Sequence, residues 1–373
     1  MDAPVEYVIS PVPVTRAMTL AEVMRQVASL NGDPWQAVQQ LAASGDRSLI
    51  PPAQAALERY LDEGEWYGRD MMAYVLAGIR GAAAFPLLLR AFARPVPHDD
   101  RDSLCALLGD LIHLDPDGCR PTILSFATDE HPDLRNAGLW ALGYVVRPGD
   151  LDLLRQALTD PDPRLRQTAL GTLTSLKNEP SAYDLVTAAL HDPDEQVRRS
   201  AVLDLRWFAN AAAVHSLTPL TGDQSANVRS ALGETIGNLP LDTHDRPAAL
   251  DALLLLLADL EPQVRAGAAR GISALGGPFD ALQAGARDPD PHVRAAIAAA
   301  LGRHANPALT ETLSSLAGDA SAAVRADLAT ALGVCGWPGI RPIIDTLTAD
   351  PDRTVRARAE VALTRITATK PHK

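Results

Sequence analysis

The feature that most constrains the fold of this chain is an aspartate–arginine pair that recurs eight times. In each occurrence the arginine follows an aliphatic residue and stands six residues after the aspartate. The aspartates are Asp129, Asp160, Asp192, Asp223, Asp259, Asp288, Asp319 and Asp350. The arginines are Arg135, Arg166, Arg198, Arg229, Arg265, Arg294, Arg325 and Arg356. Successive arginines are 29 to 36 residues apart, and eight units of such similar length predict an array of repeats.

Each unit has the pattern of two helices joined by a short turn. Leu or Ile always stands seven residues after the arginine, as Leu332 does after Arg325. With Val324, Leu328 and Cys335 it forms one apolar stripe at helical spacing. An Asp or Ser four residues before the arginine can cap the second helix. The candidates are Asp162, Asp194, Ser225, Asp290, Ser321 and Asp352. A single hairpin cannot cover its apolar face, so neighbouring units must stack.

A Leu-Gly or Ile-Gly dipeptide near the end of the second helix completes the pattern. Examples are Leu142-Gly143, Ile236-Gly237, Leu301-Gly302 and Leu332-Gly333. In these features the chain resembles the bacterial HEAT-like repeat proteins with short repeats of about 31 residues, including the phycobilisome-lyase-like HEAT group. The resemblance implies an all-α fold, a right-handed α-solenoid of roughly ten HEAT-like hairpins with an N-terminal helical cap. It also implies that the Asp and Arg columns bridge adjacent turns as a structural ladder.

The repeat pattern divides the chain into five segments. Upstream of the regular units, Arg69 and Arg101 continue the spacing without the aspartate, so they mark divergent repeats. The predicted segments are an extended N-terminal arm (1–15), a helical N-terminal cap (16–62), divergent HEAT-like repeats (63–118), eight regular HEAT-like repeats (119–366) and a frayed tail (367–373).

Composition restricts both the core and the partners. Apolar residues make up 47% of the chain and aromatic residues only 4%, which favours closely packed helices with Ala, Leu and Val cores over sheets. The 34 basic residues against 46 acidic ones give a net charge of −12. This balance argues against a nucleic-acid partner or an anionic membrane, both of which select a basic face.

Cysteine use and hydropathy indicate the compartment. The three cysteines form no CxxC pair, as is typical of a reducing environment. The start of the chain has no basic segment followed by an apolar run. The longest apolar stretch, Ala252 to Ala258, is far shorter than the ~20 residues of a membrane span. We therefore predict a cytoplasmic protein.

The sequence contains no pattern that predicts catalysis. The nine histidines share no column of the repeat, and no HExxH, GxxxxGK[ST] or GxSxG motif occurs. Iron-dependent hydroxylases built from HEAT units use His-Glu pairs, and the chain has no His-Glu dipeptide. We therefore predict no catalytic residue, no cofactor and no metal site.

The outward face of the second helices is the candidate partner site. The resemblance implies that these helices line the concave groove of a solenoid, and Trp, Tyr and Arg dominate interface hot spots. The predicted partner-binding residues are Trp140, Tyr144, Arg199, Leu203, Arg206, Trp207, Arg270 and Arg303. The predicted function is a non-catalytic scaffold or adaptor that binds a protein or peptide partner on this surface. The alternative is that the rings pack on neighbouring hairpins.

Two enzyme alternatives remain. HEAT-like DNA glycosylases hold alkylated bases over Trp, Asp and Arg, and Trp140, Trp207 and Asp204 are a partial match. The acidic balance and near absence of Lys oppose the phosphate contacts that such an enzyme needs. The bilin-attaching lyases also use short HEAT-like units, but here only the repeat itself supports that activity.

Overall fold

A computed structural model describes residues 18–29, 33–98, 101–335 and 337–368. Within these ranges the regular elements are all helical, and no β-strand is present. Contacts divide the chain between Val146 and Arg147 into two compact units. The predicted arm, residues 1–15, lies outside the described residues. Of the predicted frayed tail, Thr367 and Ala368 belong to the last helix, and residues 369–373 lie outside the described ranges.

The first unit consists of helices that pack in successive pairs. They are α1 (Leu20–Ser29), α2 (Trp35–Ala43), α3 (Ile50–Glu63), α4 (Trp66–Arg80), α5 (Phe85–Ala93), α6 (Asp102–Leu114), α7 (Pro116–Ala127) and α8 (Pro132–Leu142). Helix α3 packs on α4. The sequence analysis assigned α3 to the predicted cap and α4 to the divergent repeats. The pair α7 and α8 is the first regular repeat.

The second unit contains the other seven regular repeats. Their first helices are α9 (Leu151–Ala157), α11 (Pro180–Ala188), α13 (Ala213–Leu217), α15 (Arg246–Leu257), α17 (Phe279–Gly285), α19 (Thr310–Ala317) and α21 (Arg341–Thr348). Their second helices are α10 (Pro163–Leu173), α12 (Glu195–Asp204), α14 (Ala226–Gly237), α16 (Pro262–Leu275), α18 (Pro291–Arg303), α20 (Ala322–Leu332) and α22 (Arg353–Ala368). Each second helix packs against the next one along the unit. The fold is an all-α solenoid, as the sequence predicted.

The apolar column of the repeat forms the core. Seven of its eight members are fully buried, and they are Leu142, Leu173, Leu205, Ile236, Ile272, Leu301 and Leu332. The eighth, Leu363, is only half-buried. It lies on α22, the last of the described helices. Stacking of neighbours therefore buries the stripe that each hairpin leaves uncovered.

The predicted caps form where the residue is aspartate and not where it is serine. Asp162, Asp194, Asp290 and Asp352 each accept a hydrogen bond from a backbone N–H two residues on. Ser225 and Ser321 occupy the same position without a side-chain cap. In all six turns the ladder aspartate accepts the backbone N–H of the residue at this position.

One stretch of the first unit resembles a membrane span by length and composition. The stretch Trp66–Ala93 covers α4, α5 and the 3-10 turn between them. A core helix can have the same length and composition. Half of the most apolar part of this stretch is buried inside the protein. Within it, Arg69 and Asp70 form a buried ion pair with an N–O distance of 2.6 Å. We therefore interpret this stretch as part of the core.

Helices α14 and α16 approach each other unusually closely. A Cβ added to Gly233 of α14 would lie under 3.0 Å from the backbone of Gly267 and Ala268. One added to Gly271 of α16 would likewise meet the backbone of Gly233. The close approach of these two backbones therefore requires glycine.

Candidate functional site

The repeated aspartates and arginines form a ladder along one edge of the second unit. Six of its arginines each reach the aspartate of the following repeat, with N–O distances between 2.6 and 2.8 Å. The six pairs are Arg166–Asp192, Arg198–Asp223, Arg229–Asp259, Arg265–Asp288, Arg294–Asp319 and Arg325–Asp350. The guanidinium donates through Nε and Nη2, a two-point geometry that holds a carboxylate in a fixed orientation.

Each ladder arginine also closes its own turn. Nη1 of Arg294 donates to the backbone carbonyls of Asp288 and Pro289, at 2.8 and 3.1 Å. Arg135 and Arg356 make the same carbonyl contacts in the first and last regular turns. Asp129 and Asp160 each accept the backbone N–H two residues on, as their counterparts do. These residues therefore stabilise the turns and do not form an open site.

The ladder lowers the pKa of several aspartates. Hydrogen bonds from Arg229, Arg294 and Arg325 hold the pKa of their partners, Asp259, Asp319 and Asp350, below the usual value. For Asp223 and Asp288, burial acts to raise the pKa, but hydrogen bonds from arginine and from a backbone N–H outweigh it. The carboxylates are thus stabilised in their charged form.

Acid should therefore weaken the fold. The pKa of these aspartates is lower in the folded chain than in the unfolded chain (about 3.9), so the unfolded state takes up protons first. Stability is fully present above the unfolded value and is lost as the pH falls through the folded one. We expect the urea midpoint to fall below about pH 4. Asp319→Asn should show a shallower fall, and a midpoint level down to about pH 3 would contradict the role of the ladder.

Trp140 and Tyr144, the predicted partner residues of the first unit, belong to an aromatic cluster. The ring of Trp140 lies 4.5 Å from that of Phe92 on α5 and 5.4 Å from that of Tyr144. The ring of Tyr144 also packs edge-on against the ring of His113, with 5.8 Å between the ring centres. Trp140 is half-buried, not exposed as the helical wheel indicated, because α5 supplies Phe92 to cover it. Tyr144 remains 45% exposed.

The predicted residues at the end of α12 extend from the α-helix into the turn that follows it. The α-helix ends at Asp204, and residues Leu205–Phe208 form a tighter 3-10 turn. Trp207 is 51% exposed, and the Arg206 guanidinium lies 4.9 Å from the centre of its ring. Of the two remaining candidates, Arg199 is exposed and Leu203 is half-buried.

Arg270 and Arg303, the last two predicted residues, line a groove of about 510 Å³ between α16, α18 and α20. Its floor is alanine: Ala266, Ala295, Ala296, Ala299, Ala300 and Ala331. Arg270 is held by Glu234 at 2.7 Å. Arg303 is exposed and has no ion-pair partner within the described part of the chain. The groove therefore combines a shallow apolar floor with an available cation.

A second hollow, of about 290 Å³, continues the same face between α20 and α22. It shares Thr330 with the larger groove and is lined by Val361, which is 53% exposed. Arg358 lies beside it and forms an ion pair with Asp327 at 2.6 Å. We call the two hollows together the second-helix groove.

Sequence reasoning missed one cluster of side chains. His215 on α13 and His244 before α15 both approach Asp245, at 2.9 and 3.1 Å. The carboxylate of Asp242 also lies close by. The two histidines occur in no column of the repeat, so the repeat pattern did not indicate that they lie close together. The 36-residue spacing between Arg229 and Arg265 is the longest in the array. This irregular spacing was a sequence signal that the region differs from the other repeats.

Comparison with known proteins agrees with this architecture. A family model described as HEAT repeats matches residues 99–174, 120–206, 151–237, 183–276 and 279–364. No curated protein matches the chain significantly.

Solved structures align with this chain at low sequence identity. The Kap95:Nup1 complex aligns with a TM-score of 0.60 and 14% identity, over 94% of this chain and 55% of that one. YibA of E. coli aligns with a TM-score of 0.48 and 18% identity, over 69% and 97%. The CpcE–CpcF complex of phycocyanin lyase from Nostoc sp. PCC7120 gives 0.39 and 18%, over 67% and 94%. Since the family model matches well over half of the chain, and the helices pair as its repeats require, this protein belongs to the HEAT-repeat family.

Proposed function

We propose that this protein is a non-catalytic scaffold or adaptor that binds a protein or peptide partner in the second-helix groove. The observation that carries the proposal is the groove itself. Three successive second helices line it, alanines let a partner approach their backbones, and Arg303 at its edge has no ion-pair partner among the described residues. Kap95, whose fold is similar, has a solved structure as a complex with Nup1. We place this activity in the bacterial cytoplasm, where the described cysteines, which are free, stay reduced.

The charges of the groove favour a partner segment that carries a carboxylate. A guanidinium binds a carboxylate through two parallel hydrogen bonds, and Arg303 has both donors available. Arg270 is 46% exposed at its pair with Glu234, so a partner carboxylate can compete for it at low cost. Apolar side chains of the same partner would contact the alanine floor.

Reversal of the two groove charges should strongly weaken this binding. We expect the double substitution Arg270→Glu and Arg303→Glu to weaken binding about 30-fold or more, since arginine hot spots contribute about 2 kcal/mol or more. The partner is first identified by affinity capture from the native cell and mass spectrometry. Its binding to the purified chain is then measured by calorimetry.

Arg287 provides the matched control. It is exposed, and it lies in the turn after α17, away from the groove. Arg287→Glu makes the same charge change and should bind the partner normally. Equal affinity of the double variant and the Arg287 variant would exclude the groove as the binding site. The melting temperature of both variants should stay close to that of the parent.

The DNA glycosylase alternative has one local observation in its favour. Burial raises the pKa of Asp204 to about 6, although the nearby Arg206 acts to lower it. Trp207 is exposed a few residues away. The net charge of −12 nevertheless opposes the phosphate contacts that a duplex requires. Salt-dependent binding of DNA in a shift assay would favour this alternative.

A further inference from the structure

The cluster around Asp245 brings together donors from two consecutive repeats. His215 comes from α13, the first helix of one repeat. Asp242 and His244 come from the loop 238–245, which leads to α15 of the next repeat. Asp245 is the last residue of that loop and is only 8% exposed. Its Oδ1 lies 2.9 Å from Nε2 of His215 and 3.1 Å from Nδ1 of His244.

The loop 238–245 places Asp242 and His244 beside His215 without disturbing the ladder. Its eight residues separate α14 from α15, the same number as separate α12 from α13 and α20 from α21. The 36-residue spacing between Arg229 and Arg265 comes mainly from α15, which has 12 residues, whereas the other first helices of the second unit have five to nine. The ladder pair Arg229–Asp259 keeps its usual 2.7 Å geometry.

The donor set and its spacing match a borderline divalent metal. Zinc in proteins is bound by His nitrogen and Asp oxygen at about 2.0–2.2 Å, which places ligand atoms of a tetrahedral site about 3.3 Å apart. The two imidazole nitrogens lie close to that distance from Asp245 Oδ1. Ligand atoms of Asp242, His244 and Asp245 all lie within 4.8 Å of one another. Mg²⁺ and Ca²⁺ prefer oxygen ligands, so two imidazoles select against them.

The surroundings leave the site accessible to an ion. The side chains of His215 and His244 are 57% and 85% exposed, so solvent reaches both rings. The adjacent cation, Arg246, turns away from the cluster and donates to the backbone carbonyl of Leu275. Neither imidazole has another partner within the described residues, so both nitrogens that face Asp245 are available once their protons leave.

We propose that His215, His244 and Asp245, with Asp242 as a further carboxylate, form a binding site for a divalent transition metal of the zinc type. Binding replaces the hydrogen bonds to Asp245 with coordination bonds and releases protons from the imidazoles to solvent. The ion joins the repeat of α13 and α14 to the repeat of α15 and α16. The site is independent of the second-helix groove.

The test uses the full chain without a histidine tag, titrated with zinc chloride alone. We expect one ion per chain in calorimetry and a rise in the melting temperature of several degrees, because the ion binds only the folded state. Co²⁺ should give the visible absorption bands of a tetrahedral N/O site, and Mg²⁺ should have no effect. His215→Ala and His244→Ala should each abolish the temperature rise and the cobalt bands.

His191→Ala is the matched control. His191 is exposed, lies in the same unit and has no contact with the cluster, so this variant should bind zinc as the parent does. Circular dichroism of the apo variants checks that each is folded. Absence of stoichiometric zinc binding to the parent would overturn the proposal. So would a temperature rise that persists in both cluster variants, which would place the ion elsewhere.

Discussion

Replacement of Asp319 with alanine should lower the free energy of unfolding by about 3 kcal/mol. The side chains of Asp319 and Arg294 are only 10% and 16% exposed, so the substitution leaves the arginine charge largely buried without a counter-ion. Asp319 also accepts the backbone N–H of Ser321 at 2.8 Å, and that donor loses its partner too. Urea unfolding followed by circular dichroism measures the difference.

Asp327→Ala is the control for this prediction. Asp327 also pairs with an arginine of the next repeat, Arg358, but both side chains are more than 40% exposed. Exposed pairs contribute about 0–1 kcal/mol, so this variant should be nearly as stable as the parent. If the two losses were equal, burial of the ladder would not account for its contribution. Replacing Arg294 and Asp319 together with Met and Leu should restore part of the loss, since no uncompensated charge remains.

The second large effect is expected at the contact between α14 and α16. Gly233→Ala places a methyl group against the backbone of Gly267 and Ala268, and a backbone cannot move aside as a flexible side chain can. The two helices must separate, which should cost about 2–3 kcal/mol, the upper part of the usual range for overpacking. The melting temperature should fall accordingly.

Gly171→Ala makes the same chemical change in open space. Gly171 lies inside α10, and a Cβ there would meet nothing within 4 Å. Alanine is favoured over glycine in a helix by about 1 kcal/mol, so this variant should be more stable than the parent. Opposite signs for the two substitutions would show that packing, not helix propensity, sets the requirement at Gly233. A destabilising effect of equal size at both positions would contradict that conclusion.

The core and the ladder could be predicted from the sequence because both repeat in register. A residue that faces its neighbour in one hairpin does so in the next, so a column such as Leu301 and Leu332 reveals burial without any knowledge of distant contacts. The Asp-Arg column could be recognised in the sequence for the same reason. The HEAT-repeat assignment rests on these columns, and the family comparison confirmed it.

The exposed face could not be predicted as well, because its environment differs from repeat to repeat. Phe92, which covers Trp140, lies on a divergent helix that no column describes. No column indicates the change from α-helix to 3-10 turn after Asp204. His215 and Asp245 are 30 residues apart and belong to no column, so only the folded chain shows that they meet.

The ladder also restricts where the repeats of this protein differ in length. The sequence separation between paired ladder residues ranges from 23 for Arg265–Asp288 to 30 for Arg229–Asp259, yet the distance between their charged groups is 2.7 Å in both. Both partners lie at the turn within each hairpin, so length changes are absorbed at the opposite ends of the helices. One edge of the second unit thus keeps a constant pitch, while the other edge can accept insertions, and with them new side chains, without altering the register of the repeats.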